Sequence, residues 1–100
     1  MSLLHTVNKS PFATQALLSC LGHAKAGDTV LMIEDGVYGA SAGTAIAEVI
    51  SGQTGVNICV LGPDFTARGL AGRMLDGVTS VDYAGFVDLA AKSDRTQAWL

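Results

Sequence analysis

Charge is scarce in this chain. Only 15% of its 100 residues are Asp, Glu, Lys or Arg, against roughly 25% in an average soluble domain. The six Lys and Arg residues stand singly and the net charge is −3. With no basic patch, direct binding to nucleic acid by this chain is not expected. Long apolar runs are also missing. None approaches the roughly 18 residues a membrane-spanning helix needs, although 49% of the residues are hydrophobic and the mean hydropathy is +0.39. The apolar excess therefore points to subunit contacts and predicts an oligomer rather than a membrane protein. The two cysteines, Cys20 and Cys59, have no Cys or His at ligand spacing. They suit neither a disulfide framework nor a metal site, and two free thiols fit a reducing cytoplasm. There is no GxGxxG and no GxxxxGK[ST], so a nucleotide fingerprint is absent and no cofactor is expected. The N-terminus shows no charged stretch, apolar run and small-residue cleavage site, so no secretory leader is expected.

What the chain does have is a repeated form. Val56-Asn57-Ile58-Cys59-Val60-Leu61 is a near-continuous apolar run that stops at Gly62-Pro63, with Asp64 in a helix N-cap position. Leu3-Leu4-His5-Thr6-Val7 ends at Asn8-Lys9-Ser10-Pro11, and Thr29-Val30-Leu31-Met32-Ile33 ends at Glu34-Asp35-Gly36. An apolar run bounded by turn residues is how a parallel strand covered on both faces reads. Each run is followed by a polar turn and a helix-like segment. The sequence therefore predicts a single α/β domain over residues 1–100, with helices on both faces of a mostly parallel sheet of about five strands.

In chain order, Ser10 caps and Pro11 opens a helix from about Pro11 to Ala24. On a helical wheel Phe12, Ala13, Ala16, Leu17, Cys20, Leu21 and Ala24 share one apolar arc. Glu34 to Gln53 is the least regular stretch. Val37 to Ala40 reads as a short helical turn, and Thr44 caps a helix through about Ile50. After the third strand, Asp64 caps a helix from about Phe65 to Leu70. Val78 to Val81 is a short strand. Asp82 caps a helix from about Tyr83 to Lys92, with Phe86, Leu89 and Ala90 facing inward. Thr96 to Leu100 reads as an edge strand.

Ligands of open parallel sheets bind at the carboxyl ends of the strands. Here that edge gathers Asn8-Lys9-Ser10, Glu34-Asp35-Gly36 and Gly62-Pro63-Asp64. The helix start at Ser10-Pro11 and the Lys9 charge offer an anion site, set against ordinary capping chemistry. Glu34 and Asp35 are adjacent, so their side chains diverge and make a poor acid/base pair. Cys20 lies in the apolar arc near a helix C-terminus, the wrong end of the dipole for a thiolate, so its pattern favours a packed thiol. His23 and Lys25 are the nearest groups in sequence that would assist it. Cys59 sits mid-strand as a core residue, and His5, also mid-strand, reads as a hydrogen-bonded core or interface histidine. Trp99, near the end of an edge strand, reads as a residue covered by a neighbour or a partner, with the partner favoured.

Together these stretches resemble the DsrH/TusB family. The resemblance is carried by Leu4 to Phe12 (LHTVNKSPF), Ile33 to Tyr38 (IEDGVY) and Val60 to Asp64 (VLGPD) with Ala67-Arg68-Gly69. It continues through Val81 to Val87 (VDYAGFV) and Gln97 to Leu100 (QAWL). The motifs span the chain and occur in order. The resemblance implies a three-layer α/β/α subunit of a cytoplasmic sulfur-relay complex. Its implied partners are DsrE/TusD-like and DsrF/TusC-like subunits in a heterohexamer and a DsrC/TusE-like sulfur acceptor. Sulfur would go to oxidation or to 2-thiolation of the tRNA wobble uridine. The principal sulfur-carrying cysteine of such complexes is on the DsrE/TusD-like subunit. DsrH-like members also have a cysteine in the first helix, and Cys20 fits that position. It is the candidate catalytic residue, as a thiol that passes persulfide sulfur. The alternative is a structural subunit that completes the hexamer. A flavodoxin-like binding module is disfavoured by the missing phosphate fingerprint.

Overall fold

The computed structural model describes residues 2–100. The three apolar runs form β1 (Leu3–Val7), β2 (Thr29–Met32) and β3 (Asn57–Leu61), joined by β4 (Thr79–Val81) and β5 (Arg95–Trp99). Every strand pair is parallel, and the order across the sheet is β4-β3-β2-β1-β5. The helices are α1 (Ala16–His23), α2 (Ala45–Ser51), α3 (Gly62–Ala67) and α4 (Tyr83–Lys92), with a 3-10 segment at Glu34–Ala40.

Alternation along the strands divides the core in two. Val7, Val30, Met32, Ile58 and Val60 face one side and pack with Leu17, Cys20, Leu21, Val37, Ile50 and Phe65. Leu4, Leu31 and Cys59 face the other, where α4 supplies Phe86 and Leu89. The chain steps β1 to β4 with its helices on the first face, then crosses back through α4 to place β5 beside β1. The sheet thus has helices on both faces, and the three-layer reading holds.

Several boundaries differ from the sequence reading, each for a local reason. The first helix does not start at Pro11. The Ser10 carbonyl accepts the N–H groups of Ala13 and Thr14, both at 3.1 Å. That makes one isolated turn, because the Thr14 hydroxyl then takes the N–H of Ala16 at 3.3 Å. Side-chain competition of this kind interrupts helices. Phe12 consequently leaves the apolar arc and is 67% exposed. The third helix starts earlier than expected, at Gly62 with Pro63 in its first turn, so Asp64 lies inside it rather than capping it. Asp82 does cap α4, accepting the Gly85 N–H at 2.8 Å. Ala90 is exposed rather than inward. The last strand starts one residue sooner, at Arg95.

The 3-10 segment is pressed onto the end of β1. A Cβ on Gly36 would run into the carbonyl oxygen of Val7. That oxygen is already held by the Ile33 N–H at 2.9 Å. Gly36→Ala is therefore expected to cost about 1–3 kcal/mol, as overpacked sites do. The shift of the urea unfolding midpoint at constant slope measures it.

Candidate functional site

The loops after β2 and β3 are tied together at the carboxyl edge of the sheet. Asp64 Oδ2 accepts the backbone N–H of Glu34 at 2.7 Å. That bond holds Glu34 in a left-handed conformation (φ 49°), which a non-glycine residue rarely adopts. Arg68 Nε donates to Asp35 Oδ1 at 3.0 Å, and Arg68 Nη1 reaches the Asp64 carbonyl at 3.3 Å. The ion pair is open to water, with Asp35's side chain 63% exposed, so its worth is below about 1 kcal/mol. The carboxylates and Arg68 are thus engaged in shaping the loops. The candidate anion site at Ser10-Pro11 is not formed by a helix start, since α1 begins six residues after Ser10 and has no side-chain cap. The Ser10 hydroxyl instead accepts the Phe12 N–H at 3.1 Å.

Two clefts open on the surface. One of about 480 Å³ lies between the ends of β3 and β4, lined by Gly62, Pro63, Ser80, Val81, Asp82 and Gly85. The chain leaves β3 toward one face and β4 toward the other, so this is the sheet's switch point. The other, about 310 Å³, lies between α1 and α2 against Phe12, Leu18, Ile46 and Val49. Among the described residues no three His, Cys, Asp or Glu side chains converge as metal ligands.

Cys20 lines neither cleft. It is fully buried in the main core at the end of α1. Burial pushes its thiol pKa up to about 12, and the negative charge of Asp28 adds to the rise. At neutral pH roughly one such thiol in 10⁵ is ionised. Neither neighbour assists. His23 Nδ1 lies 2.8 Å from the Ser19 carbonyl and its ring packs 5.4 Å from Trp99. Lys25 contributes its backbone N–H to Asp28 Oδ2 at 3.0 Å. Cys59 is buried on the opposite face, and burial raises its pKa as well. Both thiols are free.

The strongest polar cluster is one the sequence reading did not assemble. His5 Nε2 and Asp28 Oδ2 are 2.9 Å apart, and both residues are buried. Trp99 Nε1–H donates to His5 Nδ1 at 3.1 Å. The indole only donates, so Nδ1 must accept, and the ring proton sits on Nε2 facing the carboxylate. Asp28 Oδ1 also accepts the Leu3 N–H at 3.0 Å. Burial raises the Asp28 pKa, but the bonds from His5, Lys25 and Leu3 outweigh it and hold the carboxyl down at about 2. Trp99 is thus partly buried against its own chain, where a partner was the favoured cover. Asp28 stands in the turn just before β2, where its chain neighbours give no sign of a buried role. The signal was His5, since a histidine inside an apolar strand needs a buried partner.

A family model described as DsrH like protein matches residues 9–96. The chain belongs to the DsrH/TusB family. Protein TusB of Escherichia coli O81 (strain ED1a) is 36% identical over 99 residues, covering 97% of this chain and 100% of that protein. Two solved structures show the fold alone. The ychN protein of E. coli superimposes with a TM-score of 0.81 at 14% identity, over 98% of both chains. The protein MTH1491 of Methanobacterium thermoautotrophicum does so with a TM-score of 0.72 at 19% identity, over 97% of this chain and 96% of that one.

Two outcomes follow for this cluster and for Cys20. Asp28 has a folded pKa below its unfolded value near 3.8. Its contribution, roughly 2 kcal/mol, is present above about pH 4 and lost as pH falls through about 2. Acid unfolding curves of Asp28→Asn should lack that component. Native Cys20 should resist a thiol reagent at neutral pH and react only as the chain unfolds, which labelling with and without urea measures.

Proposed function

We propose that this chain is a subunit of a cytoplasmic persulfide sulfur-relay complex of the DsrEFH/TusBCD kind, in which it shapes the assembly while a partner's cysteine carries the sulfur. Membership of the DsrH/TusB family supports the sulfur-relay role. Its partners on this reading are DsrE/TusD-like and DsrF/TusC-like subunits in a heterohexamer, with a DsrC/TusE-like acceptor. Similarity to TusB proteins favours delivery toward tRNA 2-thiolation over sulfur oxidation. No helix of the described residues is long and apolar enough to cross a membrane.

The division of labour rests on one observation. Cys20, the cysteine in the first helix, is fully buried with its pKa near 12. A relay thiol must be reachable and ionised. A second reading is favoured by a cavity of about 280 Å³ at the same end of α1, lined by Leu3, His23, Lys25 and Asp28. If the helix end opened there, the Cys20 thiolate would attack the outer sulfur of a donor persulfide. A Cys20 persulfide would form, the donor thiolate would leave, and an acceptor thiolate would then take the outer sulfur in turn.

The deciding experiment replaces Cys20 by Ser and by Ala in the assembled complex. Sulfur loading of the acceptor is followed by intact mass after a persulfide donor is added. Unchanged loading, with this subunit's mass unmodified in the native complex, is the expected result. A gain of sulfur on this subunit, lost on reduction and absent in Cys20→Ser, would reverse the assignment.

A further inference from the structure

The outer edge of β5 is an open template, and its sequence complements itself. In a strand, neighbouring residues point their N–H and C=O groups to opposite sides. Val7 gives its carbonyl to Ile33 beyond β2, so Val7 and His5 face β2 while Leu4 and Thr6 face β5. Leu4 lies opposite Thr96 and Thr6 opposite Ala98. In a parallel ladder the slanting bonds from Leu4 and Thr6 go to the residues on either side of those partners, Arg95, Gln97 and Trp99. Thr96 and Ala98 therefore point their backbone groups away from the sheet. The edge carries no proline, no lysine and no bulge, and its one charge, Arg95, stands at the start of the strand. Arg95 to Ala98 are all exposed.

We propose that this edge pairs with the same edge of a second copy of this chain, antiparallel and centred on Gln97, to give one continuous ten-stranded sheet. That register places Thr96 against the partner copy's Ala98, and the reverse, so all four outward groups on each strand are satisfied. Gln97 meets its own copy across the two-fold axis as a non-hydrogen-bonded pair, with Cα atoms about 4.5 Å apart. Arg95 falls opposite the partner copy's Trp99. His5 holds that indole by its Nε1 and His23 packs against its ring, so the facing position carries a fixed aromatic beside a single charge. No like charges oppose each other in the five paired positions. A one-residue slip would leave outward groups unpaired and would move Arg95 off the indole. This pairing does not depend on the sulfur-relay reading.

Sedimentation of the purified full chain from about 10 μM to about 1 mM tests the pairing. The expected result is a concentration-dependent species of twice the 10.3 kDa of one chain. It should be abolished in Ala98→Pro, because the N–H lost there faces away from β1 and proline is tolerated on an edge. Circular dichroism confirms that the variant is folded. Should it not fold, Gln97→Cys decides. The two-fold pair lies within disulfide reach, so mild oxidation should yield a covalent dimer. A monomer throughout the range, a dimer untouched in folded Ala98→Pro, or absence of the covalent dimer in Gln97→Cys overturns the proposal. A monomer would also be the outcome if the edge takes a strand from a different polypeptide.

Discussion

The buried carboxylate of Asp28 joins pieces of chain that are far apart in sequence. It receives the Leu3 N–H at the start of β1, the Lys25 N–H in the turn before β2 and, through His5, the indole of Trp99 at the end of β5. A charge taken out of water is costly unless it is hydrogen-bonded on several sides. Here the bonds more than offset that cost, as its low pKa shows. β1 is the strand between β2 and β5, so this one group fixes the alignment of three adjacent strands. It also sets the state of its surroundings, because a negative charge near the end of α1 discourages ionisation of Cys20.

The two edges of the sheet differ in kind. At the amino edge the polar groups are buried and committed to one another. At the carboxyl edge Lys9, Glu34 and Asp35 are exposed, and the Glu34–Asp64 bond holds a backbone conformation that Glu34 would not choose alone. Strain of that sort marks a loop whose shape is specified by its neighbours. An ion pair of small energetic worth there still orients loops. The apolar excess is also concentrated in places a partner can use. Phe12 and Leu18 are exposed beside the α1–α2 groove, and Tyr83 and Val87 lie on the outer side of α4.

The strands, their parallel pairing and the α4 cap were legible because each rests on short-range chemistry. Apolar runs ending in Gly, Pro or Asp announce buried strands, and Asp82 three residues before Gly85 announces a cap. The first and third helices were misplaced at their starts because the competing bonds, from the Ala16 N–H to the Thr14 hydroxyl and from the Glu34 N–H to the Asp64 carboxylate, are choices among alternatives that pattern cannot rank. The Asp28–His5–Trp99 cluster was illegible for a different reason. Its members are 23 and 94 residues apart, and only the register of β1 against β2 and β5 brings them together.

By itself the sequence determined the α/β class, the absence of nucleotide and membrane signatures and the family, since these depend on composition, periodicity and ordered motifs. It also determined that Cys20 lies on the apolar side of its helix. Tertiary structure decided what that position means. A helix wheel defines a direction, but full burial and the nearby Asp28 charge follow from what packs against it. The open edge of β5 is likewise a property of strand order, because whether a strand's backbone groups are free depends on which neighbours the fold supplies.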